Sequence, residues 1–171
     1  MLSHYLRLAV FALGLLLGVQ VPGFVDQYAK RVSAHEIEAV RALAGFQETA
    51  NTYFDGSVEA LIAHHAASSD AAFQDEARTV RRLYARVTEL KAELAALSGP
   101  LVMRVLHVAF RPDREILAET RAEYSYTVPL EPAAIASGII GGLLFAALVD
   151  VVIALIGLMV TPHVYRRQRA R

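Results

Sequence analysis

The sequence predicts an all-α protein in which two transmembrane helices flank a helical extramembrane domain, itself an antiparallel helical hairpin or a small bundle. Two long apolar segments lie near the two ends of the chain, which has 171 residues. Between them, apolar residues recur at steps of three and four, the period of an α-helix. Serine and aspartate precede several of these stretches, and glycine and proline follow them, as is usual at helix starts and stops.

Composition and charge exclude several classes of function. Hydrophobic residues make up 55% of the chain and the mean hydropathy is +0.37, values that are high for a soluble domain. The 17 basic and 17 acidic residues give a net charge of +0, so the chain has no general attraction to nucleic acid. Cysteine is absent, which excludes disulfides, thiol catalysis and thiolate metal sites.

The first apolar segment, Leu8 to Val25, contains no charged residue and is followed by Asp26. Its roughly 18 residues would form a helix about 27 Å long, just enough to cross a hydrocarbon core. A cleaved signal peptide is the alternative, but the best cleavage site, at Val21 and Gly23, has a proline between the two positions that matter. We therefore expect residues 1–25 to be an N-terminal segment and an uncleaved first transmembrane helix.

The second apolar segment, Ala133 to Thr161, is bracketed by prolines, and we assign residues 133–162 to a second transmembrane helix. Its one charge is Asp150. Placing a carboxylate inside a bilayer costs about 2.5–3.5 kcal/mol on insertion scales, so a structural or functional role is expected to offset that cost. No basic residue lies inside either span to pair with it. We expect a hydrogen-bonded packing element; coupling to protons or ions, or pairing with a partner's cation, is the alternative.

Both spans carry glycines one helical turn apart. Small residues at this spacing let helix backbones approach closely in lipid, where no hydrophobic effect drives association. In the second span the stripe continues toward Asp150. We predict that the two spans pack through these residues: Gly14, Gly18, Gly138, Gly142 and Ala146.

The charge distribution predicts the topology. The tail, residues 163–171, is basic, and we interpret its arginines as a topology anchor rather than as a site for anionic lipid headgroups. In a bacterial inner membrane, residues 26–132 would then form a periplasmic domain, and both termini would be cytoplasmic. The four anchoring residues are Arg166, Arg167, Arg169 and Arg171.

Within residues 26–132, one helix continues from the first span to Tyr53 and ends at Asp55-Gly56. Later helices are predicted from caps at Ser57, Asp70 and Asp113. Pro100 to Phe110 could be a helix or a short strand, and Pro100 at a first helical position favours a helix. The two longest helices carry apolar seams on either side of a short connection, which predicts an antiparallel pair. The same seams would also suit a coiled coil between two chains.

No candidate for chemistry outweighs a simpler interpretation. His64 and His65 are adjacent, and neighbouring helical residues point about 100° apart, so they rarely share a metal ion. His35 and Glu38 have helical spacing but fit an exposed helix face better. Phosphate loops, nucleophile elbows and paired-histidine zinc motifs are absent from the sequence. We therefore predict no catalytic, cofactor-binding or metal-ligating residue, no cofactor, and no enzyme activity.

Several short stretches resemble a bacterial membrane-protein family known as domain of unknown function 2937. They include Gly18-Val-Gln-Val-Pro-Gly-Phe-Val-Asp-Gln-Tyr28, Leu43-Ala-Gly-Phe-Gln47, Tyr53-Phe-Asp-Gly56, Leu61-Ile-Ala-His64, Tyr124 and Val128-Pro-Leu-Glu-Pro132. The resemblance implies a short two-span inner-membrane protein and brings no activity, cofactor or catalytic residue with it.

The functional expectation is a membrane-anchored helical interaction or scaffolding subunit. Its partners would be the lipid bilayer and either a second copy of the chain or another envelope membrane protein, and not nucleic acid. The alternative is a small accessory subunit of a transport or proton-coupled complex that uses Asp150.

Overall fold

The computed structural model describes residues 2–126 and 131–160. Within these ranges it contains helices and no strand, so the all-α class is confirmed for this part of the chain. The helices are α1 (Leu2–Tyr53), α2 (Val58–Ala66), α3 (Ala71–Ala96), α4 (Leu101–Phe110), α5 (Arg114–Ala122) and α6 (Pro132–Val160).

The helix ends follow local sequence chemistry. Asp55 and Gly56 take positive φ angles, 51° and 81°, and end α1 as predicted. The predicted caps are also confirmed. Ser57 accepts a hydrogen bond from the Ala60 amide at the start of α2, and the Asp70 and Asp113 carboxylates accept amides at the starts of α3 and α5.

Two helices begin one residue away from the predicted position. Pro100 is the N-cap of α4 rather than its first helical residue, while α6 begins at Pro132 rather than at Ala133. A proline suits the first turn because its missing N–H would have no partner there. Helix α1 runs without a break through Pro22, so the predicted continuation of the first apolar segment into the central helix is confirmed.

The chain divides into two compact units. The apolar-helix unit combines Met1–Phe24 with Ser125–Arg171, and the central unit is Val25–Tyr124.

The core of the central unit is built from the predicted seams. Side chains from α1, α2 and α3 form one buried cluster, which brings both long seams together inside a single chain without a second copy. Partly buried Phe46, Phe54 and Tyr84 pack against it. The buried members are Leu43, Ala50, Val58, Leu61, Ile62, Ala77, Val80 and Val87.

In the apolar-helix unit, two helices are long and apolar enough to cross a membrane by length and composition. The most apolar window of α6 has a mean hydropathy of 2.8, and only 6% of that window is buried. The corresponding window of α1 has a mean hydropathy of 2.2. Large side chains such as Leu144 and Leu148 point outward from α6.

Candidate functional site

Helices α1 and α6 approach each other through glycine backbones. A Cβ atom added to Gly141 would lie 2.6 Å from the carbonyl oxygen of Gly14, and one added to Gly14 would lie 2.8 Å from the carbonyl oxygen of Gly141. A Cβ added to Gly18 would collide with the carbonyl oxygen of Ser137. Glycine is therefore required at this crossing because any side chain would push the helices apart.

The predicted packing residues lie along the same contact, with one addition. Gly138 faces the Leu15 carbonyl, where an added Cβ would be 3.2 Å away, and Gly142 lies under the ring of Phe11. Gly141 was missed because the prediction followed only the four-residue spacing. Residues three apart share a helix face as well, so the spacing of Gly138 and Gly141 was the available signal. Ala146 is half-buried farther along α6.

The contact extends to Asp150, which pairs with Arg7. The Arg7 Nε atom lies 2.6 Å from the Asp150 Oδ1 atom, and both side chains are about half exposed, at 45% and 51%. From the sequence, a basic partner was sought only inside the two spans, so Arg7 was not considered. Arg7 lies one residue before the first apolar segment, and its long side chain reaches the carboxylate from there. The predicted anchor residues Arg166, Arg167, Arg169 and Arg171 lie outside the described residues.

The central unit contains a buried polar network that begins at Tyr28. This side chain is fully buried, and its hydroxyl donates to Glu93 Oε1 at 2.5 Å and accepts from the Asp113 amide at 2.8 Å. His107 Nε2 lies 2.8 Å from the same Glu93 oxygen. Tyr28 thus links α1 to α3 and to the cap of α5, and Glu93 extends the network to α4.

Asp113 carries the network onward. Its Oδ1 atom accepts the amides of Glu115 and Ile116, and its Oδ2 atom lies 2.5 Å from Arg86 NH1. Burial acts to raise the pKa of the Asp113 carboxyl, but the Arg86 hydrogen bond and the two amides together hold that pKa below its ordinary value of 3.8. Asp113 is therefore a charged cap that also ties α5 to α3.

A second set of ion pairs joins α1 to α5. Arg31 NH2 lies 2.7 Å from Glu123 Oε2, and His35 Nε2 lies 2.9 Å from Glu119 Oε2. The hydrogen bond with His35 lowers the pKa of Glu119, and the hydrogen bond from Arg31 lowers that of Glu123. His35 therefore contacts α5, and its predicted place on an exposed face, beside Glu38, holds only in part because the ring is half-buried.

The adjacent histidines lie in a small aromatic cluster. Ring centroids are 5.3 Å apart for Phe54 and His64 and 5.2 Å apart for His65 and Phe73. His65 Nδ1 and Glu76 Oε2 are 3.2 Å apart but are not aligned for a hydrogen bond. In the part of the chain that the structure describes, no three histidine, aspartate or glutamate residues are grouped to hold a metal ion.

Chemically, the network around Tyr28 can hold helices together. Burial, followed by the hydrogen bond to Glu93, raises the pKa of the Tyr28 hydroxyl well above its ordinary value of 10.0, so this group stays a neutral donor. Neither Tyr28 nor its partners were identified as a site from the sequence. The signal that was passed over is that a buried tyrosine needs a hydrogen-bond partner for its hydroxyl.

Comparison with known proteins identifies the family and no function. No curated protein and no solved structure is significantly similar to this chain. A family described as a protein of unknown function, DUF2937, matches residues 2–161. That range includes both apolar helices and the whole central unit, and it confirms the resemblance found in the sequence. The chain belongs to the DUF2937 family of proteins of unknown function.

Proposed function

We propose that this chain is a membrane-anchored helical interaction or scaffolding subunit of the bacterial inner membrane. The observation that carries the proposal is the packing of α6. Its glycine face lies against α1, while only 6% of its most apolar window is buried. Water would penalise so large an exposed apolar surface, whereas lipid would accept it.

The two helices form a two-pass anchor in this proposal. Arg7 lies opposite Asp150, Gly14 opposite Gly141, and Gly18 opposite Ser137, so the chain directions are opposed. Both termini then lie on one side of the bilayer, and the arginine-rich tail makes that side the cytoplasm. The central unit, residues 25–124, belongs to the periplasm.

The central unit provides a surface for a partner. A groove of about 340 Å³ lies between α1 and α3, and its lining includes Val40, Ala44, Asn51, Val87 and Lys91. Its apolar floor and polar rim suit a helix or loop from another envelope protein or from a second copy. The network around Tyr28 holds the helices behind the groove in a fixed arrangement, which lowers the entropic cost of binding.

The alternative, a proton-coupled accessory subunit centred on Asp150, loses support from the Arg7 contact. Asp150 lies 2.6 Å from the Arg7 guanidinium, so it has an ion-pair partner within its own chain and a structural role accounts for it. Asp150 in this arrangement fixes the register of α1 against α6.

The test is co-purification from native membranes in mild detergent. Ala44→Arg places a charged side chain in the groove, whereas Ala42→Arg places the same side chain on an exposed face of the same helix outside it. We expect a co-purifying protein, or a second tagged copy, to be lost with Ala44→Arg and retained with Ala42→Arg, at equal membrane levels of both variants. Equal recovery with the two variants would overturn the role of the groove, and a wild-type chain that purifies alone would overturn the proposed function.

A further inference from the structure

Helix α4 exposes its apolar side and turns its polar side inward. The exposed residues occupy one continuous arc of the helix and are all apolar. Phe110 is 78% exposed, Val102 68% and Leu106 47%. The full set is Val102, Met103, Leu106, Ala109 and Phe110.

The inward side of α4 carries its charged and titratable groups. His107 bonds to Glu93 in the buried network, and Arg104 NH2 lies 3.9 Å from Asp26 Oδ1. Apolar Val108 is buried beside them, so what distinguishes α4 from a helix on a soluble domain is its entirely apolar exposed face. Large exposed apolar patches of this kind mark contacts with membranes or other proteins.

The contact between Arg104 and Asp26 shows where along α1 this helix lies. Asp26 is the first residue after the apolar segment Leu8 to Val25, and it belongs to the same compact unit as α4. Arg104 therefore joins α4 to the residue that directly follows the apolar segment of α1. After Phe110, the exposed residues Arg111 and Arg114 provide positive charge beside the apolar arc.

We propose that the exposed face of α4 lies in the interfacial layer of the same bilayer that holds α1 and α6. The inference rests on the proposed membrane anchoring. An interfacial helix of this type inserts its apolar face about 5–10 Å into the boundary between headgroups and acyl chains. Neighbouring arginines bind anionic headgroups. A second copy fits less well because one helix face about 15 Å long supplies far less than the ~800 Å² per partner of a standard interface.

The absence of cysteine from the sequence makes a direct test possible. Single-cysteine variants of the full chain are placed one per nanodisc, in an equal mixture of phosphatidylcholine and phosphatidylglycerol. Leu106→Cys and Ala109→Cys probe the α4 face, and Ala109→Cys removes almost no apolar surface. Ala85→Cys, at an exposed position of α3, is the matched control. The measurement is the reaction rate with a membrane-impermeant maleimide, divided by the rate with a permeant one.

We expect this rate ratio to be at least about tenfold lower at both α4 positions than at Ala85→Cys. A tenfold difference corresponds to about 1.4 kcal/mol of docking free energy. Equal rates at all three positions would overturn the inference. Protection that appears only in discs with two chains would also overturn it and would identify a second copy as the occupant. If alkaline carbonate instead released the chain from membranes, the proposed anchoring itself would fail. A chain that stays in the membrane with reactive α4 positions would refute only the docking of α4.

Discussion

Replacing Tyr28 with phenylalanine removes one oxygen atom from the centre of the polar network and leaves the packed ring in place. The hydroxyl donates to a Glu93 carboxylate, a type of bond that contributes about 1.5–3 kcal/mol. It also satisfies the Asp113 amide, and leaving a buried N–H without a partner costs about 1–3 kcal/mol. Glu93 keeps its contact with His107. We therefore expect Tyr28→Phe to lower the free energy of unfolding of the central unit by about 3 kcal/mol.

Hydrogen exchange on the full chain in nanodiscs measures this change. A loss of about 3 kcal/mol speeds exchange roughly a hundredfold for amides that open only with the whole unit, such as those near buried Ile116. Tyr53→Phe is the matched control, because that side chain is 75% exposed and its change should leave exchange unaltered. Exchange in Tyr28→Phe that is faster by less than about threefold would refute the idea that this hydroxyl holds the helices together.

Three further predictions follow from the same contacts. Gly141→Leu should abolish packing of α1 on α6, measured by cross-linking between the two helices, whereas Gly157→Leu should not, because a Cβ there would meet no atom within 4 Å. The combined Arg7→Gln and Asp150→Asn variant should accumulate in membranes better than either single variant, since each single change leaves an unpaired charge; equal levels in all three would contradict the pairing. The depressed pKa of Asp113 contributes stability that is present above about pH 3.8 and lost as pH falls below it. Asp113→Asn, which keeps a capping side chain, should flatten this acid dependence in a thermal melt.

The parts of the fold that were predicted from sequence depend on local chemistry. The caps at Ser57, Asp70 and Asp113 act on amides two or three residues away, so short windows contain all the information. The end of α1 at Asp55-Gly56 is equally local, because the backbone there takes positive φ angles. The period of apolar residues predicted which sides of α1 and α3 are buried.

The parts that were missed depend on contacts far apart in the chain. Gly141 faces Gly14 because of the crossing geometry of two helices, and a fixed four-residue spacing does not specify that geometry. The predicted first span begins at Leu8, which leaves Arg7 outside it. A contact between the long Arg7 side chain and Asp150 was therefore not considered. Likewise, the contacts of Glu93 are made by Tyr28 and His107, which belong to two other helices.

The outward apolar face of α4 shows the same limit. Leu101–Phe110 was predicted to be a helix, but its sequence carries only two polar residues to mark an inner or an outer side. The arrangement is determined by Glu93 and Asp26, which lie elsewhere in the chain and attract His107 and Arg104 inward.

The central claim is that a two-pass anchor holds the central unit outside the inner membrane. The most direct test is a single cysteine at Ser69, an exposed residue between α2 and α3, in a chain that otherwise has none. Intact cells are treated with a maleimide that crosses the outer membrane but not the inner one. We expect full modification of Ser69→Cys without permeabilisation, in a protein that stays in the membrane fraction at alkaline pH. Modification only after the inner membrane is opened would place the unit in the cytoplasm and contradict the account.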